Sequence, residues 1–166
     1  MSHSVTITRT TTSTTNTSYI VLNTGYMKSA PGMLKLLQLI IGAVCVGIFA
    51  YYYNMYGGIL NSSIYLFFFL MVTTFMIGTF CLLLACLTSL STGGIIAKTI
   101  YELIYHCIAG ILLLVASILI LIDLTDSRYK NYRQHDMYMA AAVMGLANSI
   151  LYFISTYLAH KSYRGI

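Results

Sequence analysis

Four stretches of this chain, Leu36 to Tyr56, Ile64 to Leu90, Ile100 to Leu124 and Met137 to Ala159, are apolar over lengths that can cross a bilayer as helices. Each reaches or exceeds the ~20 residues that a hydrocarbon core of roughly 30 Å demands. Outside them lie an N-terminal arm, three connectors and a short tail. The expected fold is therefore all-α, an antiparallel four-helix transmembrane bundle, and the lipid bilayer is its first partner.

With 166 residues, 58% of them hydrophobic and 8% charged, the chain has room for one bundle and no second domain. The expected organisation is a Ser/Thr-rich cytoplasmic arm over residues 1–24, too polar to bury a core and hence disordered, followed by a four-span domain over residues 25–166. No apolar h-region precedes Leu36, so the first span is expected to act as its own insertion signal and to stay in the mature protein.

The net charge of +5 does not point to nucleic acid, because the nine basic residues are scattered through the arms and helix ends. Their distribution speaks instead to orientation. Arg9, Lys28, Lys35, Lys98, Lys161 and Arg164 fall on one side of the expected spans, and Arg128, Lys130 and Arg133 on the other. The positive-inside rule then places both termini in the cytosol. The four cysteines, Cys45, Cys81, Cys86 and Cys107, all lie within spans, which excludes a disulfide-stapled ectodomain of the claudin or tetraspanin kind. Cys86, near the cytoplasmic end of span two, is the one candidate for palmitoylation. The sequon at Asn61 lies too close to the bilayer for glycosylation, and the one at Asn16 falls on the cytosolic side.

Each span carries a stripe of small or polar residues alternating three and four apart, the pattern of a helix-packing seam. The stripes run Lys35, Gln38, Gly42, Cys45, Phe49, Tyr52, Tyr56 in span one and Thr74, Gly78, Cys81, Ala85, Thr88 in span two. Span three gives Glu102, His106, Ala109, Leu113, Ala116, Ile120, Asp123, and span four Ala141, Gly145, Asn148, Tyr152, Ser155. Lipid supplies no hydrophobic drive between helices, so close backbone approach at Gly42, Gly78, Ala141 and Gly145 and hydrogen bonding at Asn148 must hold the bundle together. Tryptophan is absent, leaving Tyr51, Tyr52, Tyr53, Tyr56, Tyr101 and Tyr105 to form the interfacial belt.

Three ionisable residues intrude into the spans: Glu102, His106 and Asp123. Such groups raise the question of a proton relay or metal site. Lys98, Glu102 and His106 share a face, but no second histidine or cysteine stands at ligand spacing. Thr99 to Glu102 also fits a capping box, which gives Glu102 a structural role in which Glu102→Gln changes little. Asp123 opposes its helix dipole, so Arg128 or Lys130 is expected to pair with it. There is no nucleophile with a base at recognisable spacing, no phosphate loop and no redox motif, so no catalytic, cofactor-binding or metal-binding residue is assigned.

The segment Gly25 to Gln38, with Tyr26, Lys28, Gly32 and Lys35 leading into the first helix, resembles the start of MARVEL-domain proteins, particularly the chemokine-like-factor-like MARVEL transmembrane group. The likeness extends over Tyr101 to Asp123 and over Ala140 to Gly145. It implies a non-enzymatic four-span protein of plasma, endosomal or vesicular membranes that works in vesicle traffic, membrane apposition or the surface stability of client proteins. Relatives often carry an Asp near the end of span four, where this chain has Ser155.

Partners are accordingly expected among other transmembrane proteins by lateral helix packing, through small residues such as Ala43, Gly47 and Ala50, and a homo-oligomer stays open. The alternatives are a small oligomeric channel or transporter, although neither broken helices nor inverted repeats are visible, and a cell-junction component. The charge asymmetry makes a direct prediction: an epitope tag at either terminus is stained in permeabilised cells only, and staining of intact cells overturns the orientation.

Overall fold

The computed structural model describes residues 24–56, 62–88, 100–125 and 135–164. A short 3-10 turn, Thr24–Lys28, leads into α1, Ala30–Tyr56, followed by α2, Ser63–Thr88, α3, Ile100–Thr125, and α4, His135–Arg164. All four helices are long and apolar enough to cross a membrane, and no strand occurs among the described residues. A helix satisfies every backbone group within itself, which is what a segment in hydrocarbon must do. The expected disordered arm, both sequons, the capping residue Thr99, Lys98 and the basic residues Arg128, Lys130 and Arg133 lie outside the described residues.

Helix α1 begins ahead of its apolar run. Ser29 caps it: the Gly32 amide donates to Ser29 Oγ at 3.3 Å, and the Ser29 hydroxyl in turn donates to the Tyr26 carbonyl at 2.6 Å. Pro31 falls within the first turn, where its missing amide proton costs nothing. At the other end of the molecule, His135 Nε2 donates to the Leu124 carbonyl at 3.0 Å, so the first residue of α4 satisfies a carbonyl in the last turn of α3.

The helices form a ring in which α1 touches α2 and α4, and α3 touches α2 and α4, with α3 and α4 in closest association. Side-chain pairs fix the directions. Lys35 near the start of α1 meets Glu102 near the start of α3, whereas Gln38 of α1 meets Ser155 near the end of α4. Phe49, late in α1, packs on Tyr65 and Tyr138, early in α2 and α4. Neighbours in the ring are therefore antiparallel.

The exterior is that of a bundle in lipid, and polar groups are kept inside beside the apolar core. Ile40, Val44, Leu70, Ile77, Ile108, Ile111, Ile122 and Ile150 point outward and are exposed, while Lys35, Gln38, Thr79, Glu102, His106, Asn148, Ser149 and Ser155 are buried. Lipid solvates the aliphatic exterior, and only the interior offers the polar groups hydrogen-bond partners.

The close α3–α4 contact follows from residue size. Ala109, Ala116 and Ser117 face Ala141, Ala142, Gly145 and Ser149, all buried. At Gly145 an added Cβ would lie 2.5 Å from Ser117 Oγ and 2.7 Å from Phe68 Cε2, so the aromatic ring of α2 occupies the space that a side chain would need. At Gly42 an added Cβ would lie 3.3 Å from Met76 Cβ, and Gly78 leaves the space in which Tyr105 crosses α2. A Cβ added at Gly47 would meet nothing within 4 Å, and Ala43, Gly47 and Ala50 are all exposed.

The packing face of α2 differs from the stripe expected from its sequence. Thr74, Cys81 and Thr88 are exposed, and the buried face is Tyr65, Phe68, Val72, Phe75, Thr79, Leu82, Leu83 and Cys86. This helix supplies bulk to fill the space left by the small residues of α4. Its seam is therefore aromatic.

These contacts predict that Gly145→Ala destabilises the bundle by about 1–3 kcal/mol through overpacking, seen as reduced abundance and a lower melting temperature in detergent. Gly47→Ala, the same change on an open face, leaves both unaltered. Equal behaviour of the two variants would show that the α2–α3–α4 contact does not limit stability.

Candidate functional site

The polar interior is concentrated at the mouth where α1 and α3 begin. Lys35 projects from the second turn of α1, and its Nζ forms an ion pair with Glu102 Oε1 across the bundle. The lysine is 1% exposed and the glutamate 4%. The same ammonium donates to Tyr26 Oη at 3.0 Å and lies 5.7 Å from the centroid of that ring. His106, one turn beyond Glu102, places Nε2 3.4 Å from Glu102 Oε1. Glu102 Oε2 and both ring nitrogens of His106 lack a hydrogen-bond partner among the described residues.

This geometry accounts for the lead-in motif residue by residue. Tyr26 must sit over Lys35, so the 3-10 turn folds back until the Tyr26 carbonyl presses on Gly32, where a Cβ would collide with it. Gly32 is needed for close approach. Burial, with the neighbouring Cys86 thiol, pushes the Tyr26 hydroxyl above its ordinary range and keeps it neutral. Lys28, by contrast, is exposed at the end of the turn.

Two expectations need correcting here. Lys35 is not an exposed flanking charge but a buried partner of Glu102, and the pair gives Glu102 a role that its place in the expected capping box does not include. Cys86 is buried at 1% exposure, so its thiol is closed to acylation in this structure.

A second layer continues the network inward. Gln38 Nε2 donates to Ser155 Oγ at 2.8 Å, and Asn148 Nδ2 reaches the Gln38 carbonyl at 3.4 Å, tying α1 to α4. Ser155 thus has an internal partner. Across the ring, Tyr105 and Tyr152 both donate to the Phe75 carbonyl, at 2.9 and 3.2 Å, and Thr79 Oγ1 bridges their hydroxyls at 3.1 and 2.7 Å. Tyr105 is therefore a tie between α2 and α3, not a belt residue. Thr79 had no signal in the sequence, because its role is set by two tyrosines on other helices.

Beyond this layer the core closes. Phe49, Phe68, Leu113, Ile120 and Tyr138 are each at most 1% exposed, and Phe49 packs on Phe68 and Tyr138 with ring centroids 5.2 and 5.1 Å apart. Asp123, partly buried in the last turn of α3, has an Oδ2 without a partner among the described residues, and its expected partners lie outside them. No group of three or more His, Cys, Asp or Glu that could hold a metal occurs among the described residues.

An all-helical bundle with a lipid-facing aliphatic surface and a closed polar interior defines a multi-pass membrane protein. The chain matches the MARVEL family, a membrane-associating domain, over residues 26–158, and it belongs to that family. No match was found among curated proteins or among solved structures.

The buried pair generates a prediction that replaces the expectation for Glu102→Gln. Removing one partner leaves an uncompensated buried charge, an ammonium in Glu102→Gln and a carboxylate in Lys35→Met, and costs about 3–5 kcal/mol, so each variant reduces folded protein sharply. The double variant Lys35→Met, Glu102→Leu regains most of the loss, because two apolar side chains need no counter-ion. Thermal unfolding of the four purified forms reads the coupling, and additive losses would mean that the pair is not the source.

Proposed function

We propose that this protein is a non-enzymatic membrane protein of the chemokine-like-factor-like MARVEL group that associates laterally with other membrane proteins and supports their trafficking, surface stability or membrane apposition. The observation that carries this reading is the disposition of surface. Among the described residues, most of the large exposed side chains are aliphatic or aromatic and lie along the helices. Interfaces large enough to be specific must then form side by side in the bilayer. The open small-residue flank of α1 at Ala43, Gly47 and Ala50 would let a partner helix approach, and the same face could meet a second copy of this chain.

The closed core disfavours conduction through one bundle. The polar network stops at Tyr152 and Asn148, and the aromatic and aliphatic layer beyond it leaves no continuous polar path among the described residues. In this reading both termini face the cytosol and the protein resides in the plasma membrane and in endosomal or vesicular membranes.

Loss of the protein should change the surface abundance of particular membrane proteins, measured by surface biotinylation and quantitative mass spectrometry. The purified protein in liposomes should pass no ion or small-solute flux. Robust flux together with an unchanged surface proteome would replace this reading with the channel.

A further inference from the structure

A cleft of about 310 Å³ opens at the mouth of the bundle, lined by Pro31 and Lys35 of α1, Glu102 of α3 and Ser155, Leu158, Ala159, Lys161 and Ser162 of α4. Its volume is at the small end of the ~300–1,000 Å³ typical of small-molecule sites. It suits a headgroup and is too small for a peptide helix. The walls are amphipathic: Pro31, Leu158 and Ala159 are apolar, and the two serines and two lysines are polar.

Two features of charge narrow the occupant. At the base, Glu102 Oε2 has no hydrogen-bond partner among the described residues although the residue is 4% exposed. A buried carboxylate oxygen left unpaired is costly, and a primary ammonium is the donor that would satisfy it. At the rim the sign reverses. Lys161 lines the cleft and is exposed, and Lys28 and Arg164 are exposed at the same end of the bundle. Glu102 is already balanced by Lys35, so the mouth as a whole carries a positive excess. A ligand that offers an ammonium inward and anionic groups outward fits both features.

We infer that this cleft is a binding site for an anionic aminophospholipid, phosphatidylserine, with its ammonium directed to Glu102 and its phosphate and carboxylate held by Lys161 and Ser162. The cleft opens at the end of the bundle where α1 begins and α4 ends, so a lipid can enter laterally with its acyl chains along the aliphatic surface of α1 and α4. With the termini cytosolic, as proposed above, the cleft faces the leaflet that carries this lipid. Phosphatidylethanolamine has the amine without the net charge, phosphatidylglycerol the charge without the amine, and phosphatidylcholine neither. The site should rank them in that light.

The test is native mass spectrometry of the full-length protein, purified in detergent and titrated with short-chain forms of the four lipids. Phosphatidylserine should be retained at the lowest concentration, about five-fold below phosphatidylglycerol or phosphatidylethanolamine, with phosphatidylcholine weakest. Lys161→Ala, at an exposed position, should weaken phosphatidylserine by about five-fold. Ser162→Phe, which fills the mouth without touching the ion pair, should abolish the preference, and an unchanged melting temperature certifies both variants as folded. Equal retention of phosphatidylserine and phosphatidylglycerol would eliminate the amine contact and overturn the proposal. So would phosphatidylserine binding that is indifferent to both substitutions. These outcomes do not depend on client association, which is read from surface abundance.

Discussion

Everything at the near end of this molecule depends on one ion pair formed where water is scarce. Lys35 and Glu102 cannot be left alone in the bundle interior, since each charge would have to be desolvated without compensation. Their pairing fixes the rotation of α1 and α3 relative to one another, and the groups around it are then placed by the demands of the pair. Tyr26 covers the ammonium, Ser29 and Gly32 allow the turn that brings Tyr26 there, and His106 stands behind the carboxylate. A motif that looks like a short string of unrelated residues is one spatial arrangement.

The rest of the bundle is held by a different means. Small residues on α3 and α4 bring backbones together, and aromatic residues on α1 and α2 fill the remaining space, so the far half is a packed plug of rings. The near half instead uses hydrogen bonds between helices: Gln38 with Ser155, Asn148 with the Gln38 carbonyl, Tyr105 and Tyr152 with Phe75. The two halves of one bundle thus rely on different interactions, shape at one end and polarity at the other.

What could be read from the sequence was what repeats locally. Runs of apolar residues marked four helices, and in α1, α3 and α4 the small or polar residues at three-four spacing coincide with buried positions from Lys35 to Phe49, Glu102 to Ile120 and Ala141 to Ser155. The same rule failed for α2. There Thr74 and Cys81 face outward and Phe68 and Phe75 face in, because the volume needed on α2 is decided by the absence of a side chain at Gly145 on another helix. Complementarity of that kind has no trace within a single helix. Lys35 and Glu102 posed a similar difficulty, since each had an adequate local reading, as a flanking charge and as a capping residue. Only their proximity in space shows that they belong together.

The separation of that pair along the chain has a consequence for synthesis. Lys35 and Glu102 are 67 positions apart, so α1 enters the membrane well before its counter-charge has been made. Until α3 arrives, the lysine must stretch its stem toward the headgroups, as long cationic side chains near helix ends do. Release of Lys35 from the surface into the interior is then a signal of completion: a chain truncated before Glu102 keeps an amine at the membrane face that the finished bundle hides. A cell that surveys nascent membrane proteins for unpaired charge would find in this one residue the difference between a partial chain and a whole one.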